Sequence, residues 1–217
     1  MIVISCLSQK GGVGKSTLCR MIATGYAQAG WRVKIADFNL KQKTSTDWAA
    51  VRMESAIEPA VQAEAFGSVQ VALRQAHQFD LMVMDGRPDS DVTTLDLARA
   101  ADVIIVPVGV SMDDLAPQVR FAHELISKGI DKRRLLFVIN RSVDSQVAVN
   151  DARSYVGEAG YVCCATDLPM KTGYQIAQNA GRSILETTYP TLNERALRLT
   201  EEIDSLLTTM TKTKATA

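Results

Sequence analysis

Residues Lys10–Thr17 read KGGVGKST, between the apolar run Ile2–Leu7 and a helical pattern of Leu18, Met21, Ile22 and Tyr26. Strand, glycine turn and helix start in that order make a phosphate-binding loop. Gly11, Gly12 and Gly14 carry no Cβ, so the backbone around Val13 can turn its N–H groups toward an oxyanion. The helix that opens at Lys15 adds unpaired N–H groups and a positive dipole end. Lys15 is spaced to reach β- and γ-phosphates and the Ser16 hydroxyl to ligate Mg²⁺, and Thr17 completes the Gly-Lys-Ser-Thr signature. The expected chemistry is capture of a nucleoside triphosphate with its Mg²⁺ ion.

A carboxylate is needed to order the Mg²⁺ shell, and Asp85 ends the apolar run LMVMD, where such a group belongs. No other metal chemistry is legible. His77 and His123 stand at no ligand spacing from a cysteine, and adjacent Cys163 and Cys164 lack further partners. Cys6 and Cys19 fall in the first strand and first helix as core thiols.

These residues need rigid elements to hold them. Short apolar runs alternate with longer amphipathic segments, which predicts an α/β fold: a doubly wound, mostly parallel sheet with helices on both faces. The predicted strands are Ile2–Leu7, Val33–Asp37, Leu81–Asp85, Val103–Val108, Leu135–Asn140 and Tyr161–Ala165, with a weaker edge strand within Ile57–Ala63 around Pro59. The predicted helices are Lys15–Ala29, Ser68–His77, Leu115–Ser127 (interrupted early by Pro117), Val147–Ala159, Thr172–Ala180 and Thr191–Leu207. With no repeat and no linker, residues 1–210 read as one domain and 211–217 as a disordered tail.

Composition narrows the function. Lys+Arg and Asp+Glu balance at 24 each, so no global charge points to nucleic acid or membrane, although a local basic track needs only a few residues. No apolar run reaches membrane-span length, and MIVISCLSQK enters the loop without room for a cleavable signal. A cytoplasmic protein is expected.

The second lysine, Lys10, makes the loop KGGxGK[ST], which resembles the deviant Walker A loop of the ParA/MinD family of P-loop ATPases. The resemblance extends from Ile2 to Leu207 with motifs in family order. It implies that the nucleotide is ATP with Mg²⁺, and that Lys10 crosses a dimer interface to the partner's phosphates. In this family the segment after the second strand reads DxDPQGS. Here Asp37 matches the first aspartate, and Asn39 stands where the second positions the attacking water. An amide can bind water but cannot accept its proton. Leu40, Lys41, Gln42 and Lys43 replace Pro-Gln-Gly-Ser, so slow ATP hydrolysis is expected. After Asp85, Arg87 departs from the usual Asp-Thr/Ala-Pro-Pro.

Further along, Ala100–Val108 resembles the family's aaDlvliPv strand. Asn140 resembles the residue that meets the adenine amino edge, and Leu168 and Pro169 the base-side loop. Ala180–Glu186 resembles the "a..G.sv.e" segment. The short ParA proteins of plasmid partition, which lack an N-terminal helix-turn-helix domain, are the nearest type. That implies a homodimer in the ATP state, non-specific DNA binding that makes the protein nucleoid-associated, and a ParB-like or other small adaptor protein. The cargo would be a plasmid, a conjugative element or a protein assembly. Candidate DNA contacts are Arg153, Lys171, Arg182, Arg195 and Arg198. MinD-type membrane attachment is not expected, because the last helix carries Glu194, Glu201, Glu202 and Asp204 and the tail lacks bulky apolar anchors. Two rival readings are a nucleotide-gated binding module with little or no hydrolysis, and a metabolic P-loop enzyme that phosphorylates or amidates a small molecule.

Overall fold

The computed structural model describes the backbone of residues 1–88 and 92–215. In chain order the elements are β1 (Ile2–Cys6), α1 (Lys15–Gln28), β2 (Val33–Asp37), α2 (Thr44–Glu54), β3 (Gln62–Ala65), α3 (Val69–Gln75), β4 (Leu81–Asp85), α4 (Val92–Ala100), β5 (Val103–Val108), α5 (Met112–Ser127), β6 (Leu135–Ser142), α6 (Gln146–Glu158), β7 (Val162–Cys163), β8 (Leu168–Pro169), α7 (Thr172–Asn179) and α8 (Pro190–Ala215). The sheet runs β3-β2-β4-β1-β5-β6-β7, and β8 pairs with β6. Every pairing is parallel.

The continuous apolar runs are explained by burial on both faces. Along β6, Leu135, Phe137 and Ile139 join a core with α3, α4, α5 and α6, while Leu136 and Val138 join one with α1, α2, α7 and α8. The period-2 alternation of side chains thus divides one strand between two cores. On α8, Ala196, Leu199, Ile203 and Leu207 are buried on the sheet, so this stripe is packing surface. Among the described residues no helix is long and apolar enough to cross a membrane.

Four predicted boundaries are corrected. The weak strand starts at Gln62 instead of within Ile57–Ala63, although it does lie at the sheet's edge. Pro59 has no N–H to offer, and the N–H of Ala60 is taken by Glu58 Oε2 at 2.7 Å, so the ladder cannot begin sooner. The strand read as Tyr161–Ala165 pairs only over Val162–Cys163. Beyond Cys164 the N–H groups of Ala165 and Thr166 turn to the Glu202 carboxylate, the latter at 3.0 Å. Helix α5 begins at Met112, ahead of the predicted Leu115, and carries Pro117 within it. Helix α8 is helical as far as Ala215, into the stretch read as a tail, and residues 216–217 lie outside the described residues.

Candidate functional site

In this α/β fold a ligand belongs outside the carboxyl ends of the strands, and there the chemistry-bearing residues gather. The loop follows β1, Asp37 ends β2 and Asp85 ends β4, with Asp37 and Asp85 paired in register. Gly12 and Gly14 adopt φ of 74° and 96°, the left-handed region that glycine enters without a Cβ penalty. At Gly14 a Cβ would come within 1.9 Å of Asn140 Nδ2, so the glycine is required by contact as well as by backbone angle. Gly11, Gly12, Gly14, Lys15, Ser16 and Thr17 face a cavity of about 300 Å³, closed opposite by Asn39, Gln42, Thr44, Gly86 and Pro88.

Lys15 is 7% exposed. Its Nζ curls over the loop and donates to Lys10 O at 3.0 Å and Ser8 O at 3.5 Å. A compact ammonium is therefore already held where a triphosphate would lie. Ser16 Oγ stands 3.3 Å from Thr44 Oγ1. Asp85 is buried and accepts from Ser45 Oγ at 2.6 Å. Burial raises its carboxyl above the usual range and the Asp37 charge adds to this, against hydrogen bonds from Ser45 and Ser16 and the charge of Arg20. Ser16 lines the cavity, and Asp85, which does not, is within hydrogen-bond reach of it; these would be the oxygen donors for Mg²⁺, and the glycine cradle with Lys15 would hold the phosphates. When bound, the ion would supply positive charge against the phosphate oxygens.

Asp37 is fully buried and does not line the cavity. Its Oδ1 accepts from Asn39 N at 2.9 Å, and its Oδ2 accepts from Ser45 N at 3.0 Å and Thr46 N at 3.3 Å. It thus caps the first turn of α2, satisfying N–H groups that have no intrahelical partner. Helix α2 is anchored from its other side as well. Trp48 Nε1 donates to Arg182 O at 3.0 Å, and the ring has guanidinium groups of Arg20 and Arg52 at 5.6 and 5.5 Å. Arg52 is 1% exposed and pairs with Glu186 through bonds of 2.8 and 2.9 Å. Gly181 lets the chain pass this helix, since a Cβ there would lie 2.6 Å from Arg52 N. The Ala180–Glu186 motif is thereby explained as the socket for α2.

Lys10 has a half-exposed side chain paired with Asp114 on α5, and its Nζ also reaches Asp113 O at 3.4 Å. Burial pushes the Asp114 carboxyl up, but hydrogen bonds from Lys10 and Ser111 leave it below the usual carboxylate range.

The residues expected on the base side also have structural roles. Asn140 is 5% exposed, and its Nδ2 donates to Val13 O at 2.7 Å. It braces the phosphate loop from below. Leu168 is 1% exposed and belongs to the core, its backbone paired with Asn140 through β8. Pro169 lines a second cavity of about 160 Å³ with Asn140, Arg141, Met170, Lys171 and Tyr174. That cavity shares Gly12, Gly14 and Thr17 with the first, as expected where a base continues from its phosphates. Arg141, in the left-handed region at φ 57°, donates to Gly12 O. A larger hollow of about 440 Å³ between α2 and β3 is lined mostly by apolar residues such as Ala49, Met53, Ile57 and Ala63 and shares no residue with the loop.

The sequence reading missed Gln42, Thr44, Ser45 and Asp114, which complete or brace the site. Among the basic candidates, Arg195 is held by Asp167, Arg153 donates to Ala165 O at 2.8 Å, and Lys171 Nζ lies 3.6 Å from Asp144. Arg182 and Arg198 are exposed. Burial pushes the Cys163 thiol up to about 12 and raises Cys164 as well, so neither is a thiolate near neutrality.

The family model described as the CobQ/CobB/MinD/ParA nucleotide binding domain matches residues 4–210. The chain is 27% identical over 208 residues to the maintenance of carboxysome distribution protein A of Gloeobacter kilaueensis, covering 93% of this chain and 94% of that protein. It is 25% identical over 239 aligned positions to the chromosome-partitioning ATPase Soj of Thermus thermophilus, covering 92% and 94%. Its fold superposes on a chain of the MinC:MinD cell division protein complex of Aquifex aeolicus with a TM-score of 0.75, at 16% identity, over 94% of this chain and 96% of that one. ParA/MinD members are P-loop ATPases that bind ATP with Mg²⁺. The chain, matched almost from end to end, belongs to the CobQ/CobB/MinD/ParA family of nucleotide-binding proteins.

Proposed function

We propose that this protein is an ATP-switched positioning ATPase of the short ParA type. Two subunits close face to face when each holds ATP and Mg²⁺, and Lys10 of each leaves Asp114 to meet the phosphates bound by the other. The closed dimer binds DNA without sequence preference and engages a small adaptor protein. Hydrolysis reopens it, so that a plasmid, conjugative element or protein cargo is segregated or spaced. The observation that carries this reading is the complete phosphate loop, opened by a half-exposed Lys10 whose side chain is paired with Asp114. Likeness to a carboxysome-distribution protein and to a chromosome-partitioning ATPase supports the class of task.

Binding of a random-sequence DNA duplex, followed by fluorescence anisotropy, tests the DNA arm. Binding is expected only with a non-hydrolysable ATP analogue and Mg²⁺, and it should weaken steeply with salt as counterions are released. Equal binding with and without nucleotide would contradict it. A second reading, a nucleotide-gated binding module with little turnover, draws support from Asn39, whose amide cannot take a proton from water. Phosphate release near the uncatalysed rate, in the presence of DNA, would favour it.

A further inference from the structure

Asn39 and Gln42 both line the cavity shared with Lys15 and Ser16, and their amides bond to each other. Asn39 Nδ2 donates to Gln42 Oε1 at 3.0 Å, and Asn39 Oδ1 accepts from Gln42 N at 3.2 Å. A carboxamide offers two N–H groups and two acceptor sites on its oxygen. Asn39 therefore spends one donor and one acceptor on Gln42. Gln42 keeps both of its N–H groups and one acceptor site for whatever enters the cavity.

The segment presenting Gln42 is fixed from several sides. Asn39 N donates to Asp37 Oδ1 at 2.9 Å, and Lys43 N donates to Asn39 O at 2.8 Å. The Asp37 carboxylate then caps α2 through Ser45 and Thr46. Lys43 sits at φ 46°, a left-handed conformation costly for a residue with a side chain and held here by these bonds. Such bracing is what an oriented water requires, because phosphoryl transfer depends on positioning more than on covalent chemistry.

We infer that Gln42 is the residue that orients the attacking water, and that Asn39 is its brace. This rests on the ATP-hydrolysing reading above. In the step, the oxygen of a water held by Gln42 bonds to the γ-phosphorus, the bond from that phosphorus to the β–γ bridging oxygen breaks, and ADP leaves with the electron pair. The water proton passes to a γ-phosphate oxygen, since an amide cannot receive it, and inorganic phosphate departs. A glutamine has this orienting role in other P-loop NTPases. The pair is also chemically matched. An ionised carboxylate at position 39 has no N–H for Gln42 Oε1 and would instead accept from the Gln42 side-chain N–H groups, taking the donors otherwise left for a water.

The test is single-turnover phosphate release, ATP affinity and capture of ADP with aluminium fluoride, measured on the full chain and three variants in the presence of DNA. Gln42→Ala is expected to lower the hydrolysis rate at least tenfold, with ATP affinity within about twofold of wild type, and to lose aluminium fluoride capture while ADP still binds. Asn39→Ala should lower the rate less, and the double variant should be no slower than Gln42→Ala, because coupled residues are not additive. An unchanged rate in Gln42→Ala overturns the inference, as does a rate loss matched by an equal loss of ATP affinity. If the unmodified protein neither releases phosphate nor captures aluminium fluoride, the inference also falls. ATP binding and ATP-dependent DNA binding are read separately, so that outcome would leave the nucleotide-gated reading standing.

Discussion

Replacing Asn140 with alanine separates two roles for a residue that sequence alone assigns to the base. In the structure its Nδ2 donates to Val13 O at 2.7 Å, inside the loop that wraps the phosphates. Losing one hydrogen bond costs about 0.5–1.5 kcal/mol, and a buried carbonyl left unsatisfied about 1–3 kcal/mol. The site is 5% exposed and opens on the base-side cavity, so water can partly replace the amide. The lower part of that range applies, about 1–1.5 kcal/mol. Because the loop must be ordered to bind phosphate, the same energy appears in affinity as a loss of up to about tenfold. Crucially, it should fall on every ligand that uses the loop. Isothermal titration with ATP, GTP and tripolyphosphate, beside thermal unfolding of the free protein, reads both effects. Equal weakening for all three ligands, with a lowered Tm, is expected. A loss confined to ATP, with Tm unchanged, would show that Asn140 reads adenine and would refute the brace.

Two further predictions follow from the same geometry. Lys15→Ala removes a charge held against Ser8 O and Lys10 O, and ATP·Mg²⁺ affinity should fall by about 1.5–3 kcal/mol, the scale of a charged hydrogen bond; wild-type affinity by titration would refute the phosphate role. Glu186 is partly buried, which raises its carboxyl, yet the bonds from Arg52 and Ser183 hold it below its ordinary value of 4.5. A depressed folded value means that its contribution is complete above about pH 4.5 and is lost as pH falls through the lower folded value. In urea unfolding across that range, Glu186→Gln should be less stable than wild type at neutral pH, and the gap should close in acid; parallel curves would exclude this pair as an acid-sensitive anchor of α2.

How much the sequence disclosed depended on whether a signal was contiguous. The phosphate loop is one uninterrupted segment between a strand and a helix, so its chemistry and its elements could be read together. β1, β2, β4, β5 and β6 were legible because burial on both faces demands unbroken apolar runs. Helix α2 was not read. TSTDWAAVRME has no clear apolar stripe, and its cap comes from Asp37, at the end of the preceding strand, rather than from its own first residue. Leu168 was assigned to the nucleotide by motif, but short β8 turns its side chain into the core while Pro169 takes the cavity. The partnership of Asn39 with Gln42 was hidden because LKQK matches no familiar pattern; only the fold of the turn brings the two amides together. Asp114 was invisible as a partner for Lys10 because 104 positions separate them in sequence.

In the proposed switch, ATP closes two copies of this chain through Lys10. Multi-angle light scattering of the wild type and Lys10→Ala, each with Mg²⁺ and a non-hydrolysable ATP analogue, with nucleotide affinity measured in parallel, tests it most directly. The wild type should double in mass only with the analogue, and Lys10→Ala should bind it with unchanged affinity yet stay monomeric. A wild type that remains monomeric with saturating analogue, or a Lys10→Ala variant that dimerises as readily as the wild type, would contradict it.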